Sequence, residues 1–158
     1  MSAPSIDFED ICAALGNRFL ASAMGTPVNA DAVRKVYPQS TRGALALPAV
    51  VLEPQRGTVV AAPSQWKHEM DVDVLLLIAK RSADEARMEA ARQRYLPYLL
   101  HATADQLKLG LGSESGYSVD KAIPTGWEWD RYDVAGVEYE AVRVAYRVYV
   151  TETVSLVP

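Results

Sequence analysis

The segment VEYEAVRVAYRVYVTE, residues 137–152, alternates between two kinds of side chain almost without a break. Successive side chains of a β-strand lie on opposite faces of a sheet, so this alternation predicts one long strand. Between Val142 and Val150 one face is entirely apolar or aromatic and is therefore predicted to lie in the core: Val142, Val144, Tyr146, Val148 and Val150. The other face carries Arg143 and Arg147, and the alternation alone leaves open whether these arginines meet water, a ligand or a partner subunit.

The periodicity of the remaining chain predicts an α+β fold in the order α-β-β-α-β-β. Apolar side chains recur at helical spacing in residues 6–24 and 82–108, with Ser5 and Ser82 expected to cap the starts of the two helices. Pro97 is expected to kink or split the second helix. Strand character is found in four runs, residues 49–53, 66–80, 127–134 and 137–152. Hairpin-length links within each pair of strands favour an antiparallel or mixed sheet with the helices packed on one face.

The length of 158 residues fits one domain, because two domains of half that size would each bury only a small core. We therefore expect a single domain over residues 1–158. Proline and glycine interrupt the periodicity twice, which predicts a long loop at residues 25–48 and a protruding hairpin at residues 54–65.

Charge and cysteine content exclude several classes of protein. A net charge of -4 argues against a protein whose main task is to coat nucleic acid, because such proteins usually carry a basic excess. The single cysteine, Cys12, cannot form an internal disulfide or a cysteine-based zinc site. The sequence begins without the basic and apolar regions of a signal peptide, so we expect synthesis in the cytoplasm and no membrane anchor.

The motifs of common active sites do not fit this sequence. His68 and His101 are the only histidines, and they fall on a strand and a helix without metal-ligand spacing. The loop GLGSESG, residues 110–116, follows a helix, whereas the glycines of a dinucleotide-binding motif follow a strand. We therefore predict no catalytic residue, no cofactor and no metal.

The strand at residues 66–80 has one apolar face and one face that changes character along its length. The changing face runs from acidic to apolar through Glu69, Asp71, Asp73, Leu75 and Leu77. Its carboxylates fit a catalytic acid pair or a cation site, but neighbours on one strand more often form a charged face that meets a basic partner.

Two tryptophans give a second surface with alternative interpretations. Trp127 and Trp129 share one face of a predicted strand. This position suits either stacking on a sugar or base, or packing within the domain or against a neighbour. Packing is the commoner use. In an enzyme that binds a small ligand, these tryptophans and Asp73 would be the first candidates for the pocket.

The order of elements resembles the tail terminator proteins of long-tailed bacteriophages over residues 6–153. The features that carry the resemblance are LPAVVLEP leading to the strand QWKHEMDVDVLLLIA, and a last strand that follows a glycine-containing turn and runs V-x-V-x-Y-x-V-x-V. The resemblance implies a structural subunit rather than an enzyme. A homohexameric ring of such subunits caps the head-proximal end of the tail tube, stops tube polymerisation and docks head-completion proteins.

The resemblance also implies partners and a location. The partners are other copies of the chain, the tail tube protein, a head-completion or connector protein and, where the tail is contractile, the sheath. Genomic DNA only passes through the channel, no membrane is involved, and the ring is part of the virion after assembly in the host cytoplasm. The nearest alternative is a head-tail connector or tail-completion protein of the neck, and the distant one is a small-ligand-binding enzyme.

Two sets of residues are expected to carry the assembly contacts. Asp71 and Asp73 with Arg143 and Arg147 supply complementary charges, either between neighbouring strands or at the subunit interface. The hairpin residues Arg56, Thr58 and Trp66 are expected to contact the tube or the connector.

Overall fold

The computed structural model describes residues 6–38, 45–81, 84–112 and 116–154. The elements in chain order are α1 (Phe8–Asn17), α2 (Ala21–Met24), β1 (Lys35–Tyr37), β2 (Ala49–Ala61), β3 (Gln65–Lys80), α3 (Glu85–His101), β4 (Tyr117–Val134) and β5 (Val137–Thr153). Within the described residues the strands form a five-stranded sheet in the order β1-β2-β3-β5-β4. The predicted α+β class is confirmed.

The sheet is mixed, because β1 runs parallel to β2 while every other neighbouring pair is antiparallel. The turn between β4 and β5 is formed by Ala135 and Gly136, as predicted, with φ angles of 52° and 83°. Positive φ at both central residues matches the turn that continues the natural twist of a hairpin.

The predicted core face of β5 is confirmed. Its five apolar residues, Val142 to Val150, are at most 1% exposed and pack against the helices in one cluster. Phe19, just after α1, meets the ring of Tyr146 edge-on at 5.4 Å between centroids. The Tyr146 hydroxyl donates to the Leu99 carbonyl of α3, and burial raises the pKa of that hydroxyl. One side chain therefore joins the sheet centre to both long helices.

Both long helices begin at an aspartate that caps a main-chain amide. The Asp7 carboxylate accepts from the Asp10 amide and the Asp84 carboxylate accepts from the Arg87 amide, each at 3.1 Å. These caps satisfy amides that have no partner inside the helix. The serines expected to start the helices, Ser5 and Ser82, lie outside the described residues.

Helix α3 is not split at Pro97, and it ends earlier than predicted. It continues through Pro97 to His101 instead of splitting, and turns replace the predicted helical residues 102–108. The Thr103 hydroxyl donates to the Ala122 carbonyl at 2.7 Å, and Arg18 Nε donates to the Ala102 carbonyl at 3.1 Å. Arg18 thus satisfies a carbonyl where the helix stops, and Thr103 ties the residues after the helix to β4.

One strand, β1, was not predicted, and two others, β2 and β4, are longer than predicted. β1 lies inside the predicted loop at residues 25–48, and β4 starts well before Trp127. β2 continues past Pro54 through a bulge between Pro54 and Arg56, and β4 continues past Pro124 through a bulge between Pro124 and Gly126. Bulges allow a strand to accommodate residues that interrupt regular pairing.

The hairpin predicted to protrude at residues 54–65 forms part of the sheet. β3 pairs with β5 along its whole length, from Gln65 opposite Thr153 to Lys80 opposite Tyr139. β1 pairs only with the first residues of β2, up to Val51. Residues 54–61 of β2 therefore form an exposed edge of the sheet rather than a separate arm.

Candidate functional site: the charged face and the edges of the sheet

The sheet face opposite the helices divides into an apolar end and a charged end. A second apolar cluster at the first end contains the buried residues Val51, Leu75, Leu77, Val134, Tyr139 and Ala141. Beyond it, the same face of β3 and β5 carries the acidic and basic residues singled out in the sequence. The change from acidic to apolar side chains along β3 corresponds to this division.

Arg143 of β5 lies at the centre of a group of carboxylates from three other strands, β2, β3 and β4. It donates to Asp73 Oδ2 through Nη1 at 2.7 Å and to Asp130 Oδ2 through Nε at 2.8 Å. Carboxylate oxygens of Glu53 and Glu128 each lie 3.5 Å from a guanidinium nitrogen. We call these five residues the Arg143 cluster.

The arginine at the centre of the Arg143 cluster is largely shielded from bulk water. The Arg143 side chain is only 21% exposed. Burial alone would lower the pKa of this guanidinium, but the hydrogen bonds to Asp130 and Asp73 outweigh it and raise the pKa. The Tyr132 hydroxyl fixes Glu53 by donating to its Oε2 at 2.8 Å. The cluster therefore ties β2, β3, β4 and β5 together through permanent charges.

Arg147 forms a second, more open group four residues along β5. It lies directly opposite Asp71 and donates to Asp71 Oδ1 through Nε at 2.8 Å. Arg56 of β2 approaches the other oxygen of Asp71 at 3.5 Å, and Glu69 lies 3.9 Å from Arg147. The hydrogen bond from Arg147 is the main reason that the pKa of Asp71 lies below its ordinary value.

The four residues expected at a subunit interface are therefore brought together within one subunit. Asp71 pairs with Arg147 and Asp73 pairs with Arg143, so the charges are complementary between neighbouring strands. Contact of these residues with another subunit stays a prediction.

Sequence reasoning missed the other carboxylates of the Arg143 cluster, Glu53, Glu128 and Asp130. Glu128 and Asp130 alternate along β4, so their shared face was readable once β4 was recognised. Whether Glu128 and Asp130 lie beside Arg143 depends on the register between β4 and β5, which cannot be read from the sequence.

The residues expected to contact the tube or connector lie toward one end of the sheet. Arg56 and Thr58 are exposed on the open edge of β2. Trp66 lies one strand inward, between Ala61 of β2 and Glu152 of β5. Their contact with a tube or connector stays a prediction.

The second edge of the sheet carries an exposed aromatic pair. Trp127 and Trp129 of β4 are 50% and 38% exposed, and their ring centroids are 4.9 Å apart. They stand opposite Val144 and Val142 of β5, so they lie on the helix side of the sheet. Their predicted packing thus takes the form of contact with each other on a surface that remains open.

A cavity of about 410 Å³ lies between α1 and the hairpin formed by β2 and β3. Its lining includes Phe8 and Cys12 of α1, Val59 of β2, and His68 and Met70 of β3. Phe8 meets the His68 ring edge-on at 5.9 Å, and His68 Nε2 lies 3.0 Å from Glu152 Oε1. Burial raises the pKa of the Cys12 thiol, which makes it less reactive than an exposed cysteine.

These features define a class: a small α+β domain whose sheet has one charged, internally paired face and two edges that are each open over part of their length. No protein-family model matches the sequence, and no curated protein matches it. Over the part of the chain that the structure describes, no group of three or more His, Cys, Asp or Glu side chains is arranged so that it could hold a metal ion. Nor does any helix of that part have both the length and the apolar character needed to cross a membrane.

Proposed function

We propose that this protein is a structural subunit of a long-tailed bacteriophage and assembles into a tail terminator ring. The ring caps the head-proximal end of the tail tube, stops tube polymerisation and presents a surface to head-completion proteins. The proposal combines the resemblance of the sequence to tail terminators with one observation. The sheet ends on opposite sides in two different, largely exposed strand segments, residues 125–133 of β4 and residues 54–61 of β2.

Open edges favour association because their outward backbone amides and carbonyls can pair with a further strand. The two edges of this sheet differ, so a contact that joins them is heterologous, with one side of each subunit meeting the other side of the next. Repetition of a heterologous contact gives a closed ring when its rotation divides a full turn. A sheet of this kind therefore supports a homohexamer, or another closed ring, without a second type of contact.

The charged face suits a ring around a passage for DNA. Arg143 and Arg147 are both occupied by carboxylates of their own subunit, so they are poorly placed to hold phosphates. The net charge of -4 per subunit adds repulsion between the ring and the DNA backbone. Under the proposal, genomic DNA passes through the ring without being retained.

The experiment that tests the proposal is electron microscopy of tail tubes polymerised with and without the purified protein. We expect tubes of uniform length, each with a ring at one end, when the protein is present. Tubes that elongate equally in both samples, with no protein at their ends, would contradict the proposal. Binding to filled heads without binding to tubes would instead favour the connector or tail-completion role.

A further inference from the structure

We infer that the tryptophan pair of one subunit docks into the cavity between α1 and the β2-β3 hairpin of the next subunit. The inference rests on the proposed ring and deepens it by assigning the contact to named surfaces. We call Trp127 and Trp129 the knob, and the cavity lined by Phe8, Val59 and Met70 the socket.

The knob has the properties of an interface anchor. Its two rings form a single aromatic surface on an edge strand, yet about half of the Trp127 side chain faces water. Tryptophan is the residue most enriched among side chains that dominate interface energies, because one ring buries a large apolar area.

The socket offers matching chemistry at the opposite edge of the sheet, on the same face as the knob. Its volume of about 410 Å³ falls within the range of pockets that enclose drug-sized molecules, so it can admit an indole ring. Its floor and walls come from aromatic, sulfur-containing and aliphatic side chains, chiefly Phe8, Cys12, Val59 and Met70. His68 pairs with Val150 and Met70 with Val148, so the socket, like the knob, lies on the helix side of the sheet.

A single offset between the edge strands of two copies aligns both tryptophans with the socket. Trp127 is level with Val144 of β5, and the socket residue Met70 is level with Val148, an offset of four residues. The same offset brings Trp129 level with Pro54, which also lines the socket. β4 of one copy then runs antiparallel to β2 of the next, the direction that allows edge pairing.

The charges at this register are complementary. With the four-residue offset, Glu128 becomes level with Arg56 of the neighbouring copy. Both side chains are largely exposed, and both lie on the sheet face opposite the helices. Gly57 becomes level with Trp127 and adds no side chain between that ring and the socket. An offset of four residues is about 13 Å along the strands, so the strands are inclined to the ring axis.

A mixing experiment tests the pairing of these two surfaces. The knob variant carries Trp127→Ala and Trp129→Ala, and the socket variant carries Val59→Glu at a wall residue that is 51% exposed. Val28→Glu is the matched control, because it adds the same charge at an exposed valine outside both surfaces. Association is measured by analytical ultracentrifugation, and folding of each variant by circular dichroism.

We expect the wild type and the control to self-associate, and each variant alone to associate at least about 30-fold more weakly. A mixture of the two variants retains one intact knob and one intact socket, so it should form a dimer and no larger species. A wild type that stays monomeric up to about 1 mM would overturn the inference. So would unchanged association of either variant, or a mixture that gives no dimer.

A cysteine pair tests the register even if a knob or socket variant fails to fold. Arg56→Cys and Glu128→Cys in the same chain lie on opposite edges of the sheet, so a disulfide between them must join two copies. Oxidation should give a ladder of linked subunits, and the absence of linked species would contradict the register. Rings that cap tubes but lack this link would contradict the inference and support the proposed function. Linked rings that do not cap tubes would support the inference and contradict the proposed function.

Discussion

Replacement of Arg143 by methionine is predicted to destabilise the subunit more than its partly exposed position suggests. The substitution keeps a long side chain but leaves four carboxylates facing one another: Glu53, Asp73, Glu128 and Asp130. Exposed ion pairs contribute about 0.2–1 kcal/mol, whereas breaking a buried pair costs about 3–5 kcal/mol. With a 21% exposed side chain and two hydrogen bonds shorter than 3 Å, Arg143 lies between these limits. We expect a loss of about 2–3 kcal/mol in the free energy of unfolding.

Urea unfolding followed by circular dichroism measures this loss. The variant should regain part of its stability in high salt, because the exposed repulsion between carboxylates is screened. Arg143→Lys keeps the charge but not the planar group that bonds two carboxylates through different nitrogens, so it should fall between wild type and Arg143→Met. Arg147→Met is the matched control on the same strand face, with a smaller expected loss. A loss below about 0.5 kcal/mol for Arg143→Met would refute the reasoning.

Three further predictions concern single interactions in the subunit. Because Arg147 holds the pKa of Asp71 below its ordinary value, the pair stabilises the fold above about pH 4 and loses its effect as acid protonates Asp71. The free energy of unfolding should therefore fall less steeply below pH 4 in Asp71→Asn than in wild type, and equal slopes would contradict this. Tyr146→Phe removes a buried hydrogen bond to a main-chain carbonyl of α3 and should cost about 1–2 kcal/mol in urea unfolding. Glu140→Gln leaves the buried Arg92 without its counter-charge and should lower the thermal midpoint through a loss of about 3 kcal/mol, whereas an unchanged midpoint would show that the pair contributes nothing.

The sequence carried enough information to predict the central strand and its two faces. The two-residue period of β5 survives over residues 137–152, and each of its core-face valines is buried. Such a pattern is local, so it can be read without knowledge of the partner strands. For the same reason Arg143 and Arg147 could be assigned to one face of β5.

The partners across the sheet could not be predicted, because they depend on register over long sequence distances. Glu53 and Arg143 are 90 residues apart in the chain. The bulge between Pro124 and Gly126 shifts the pairing of β4, and the bulge between Leu77 and Ala79 shifts that of β3. Each bulge moves all subsequent neighbours by one position, so sequence alone could not name the carboxylates around Arg143.

The missed elements have similar causes. Residues 35–37 form a strand of three residues whose partner follows after a connection, and so short a run has no readable period. The knob was visible as two alternating tryptophans, but the socket is assembled from α1, β2 and β3. A cavity formed by three separate segments has no local signal in the sequence.

The position of β5 in the sheet has a consequence for how the protein is made. β5 follows β4 in the chain, yet it lies between β3 and β4 and pairs with both along their length. While the chain is being synthesised, the edge of β3 that faces away from β2 has no partner until residues 137–153 have left the ribosome. Pairing over such sequence distances slows folding. A chain that ends before β5 lacks the strand that joins β3 to β4, so its two sheet edges are not held in one rigid body. Such truncated copies cannot enter an assembly that needs both edges.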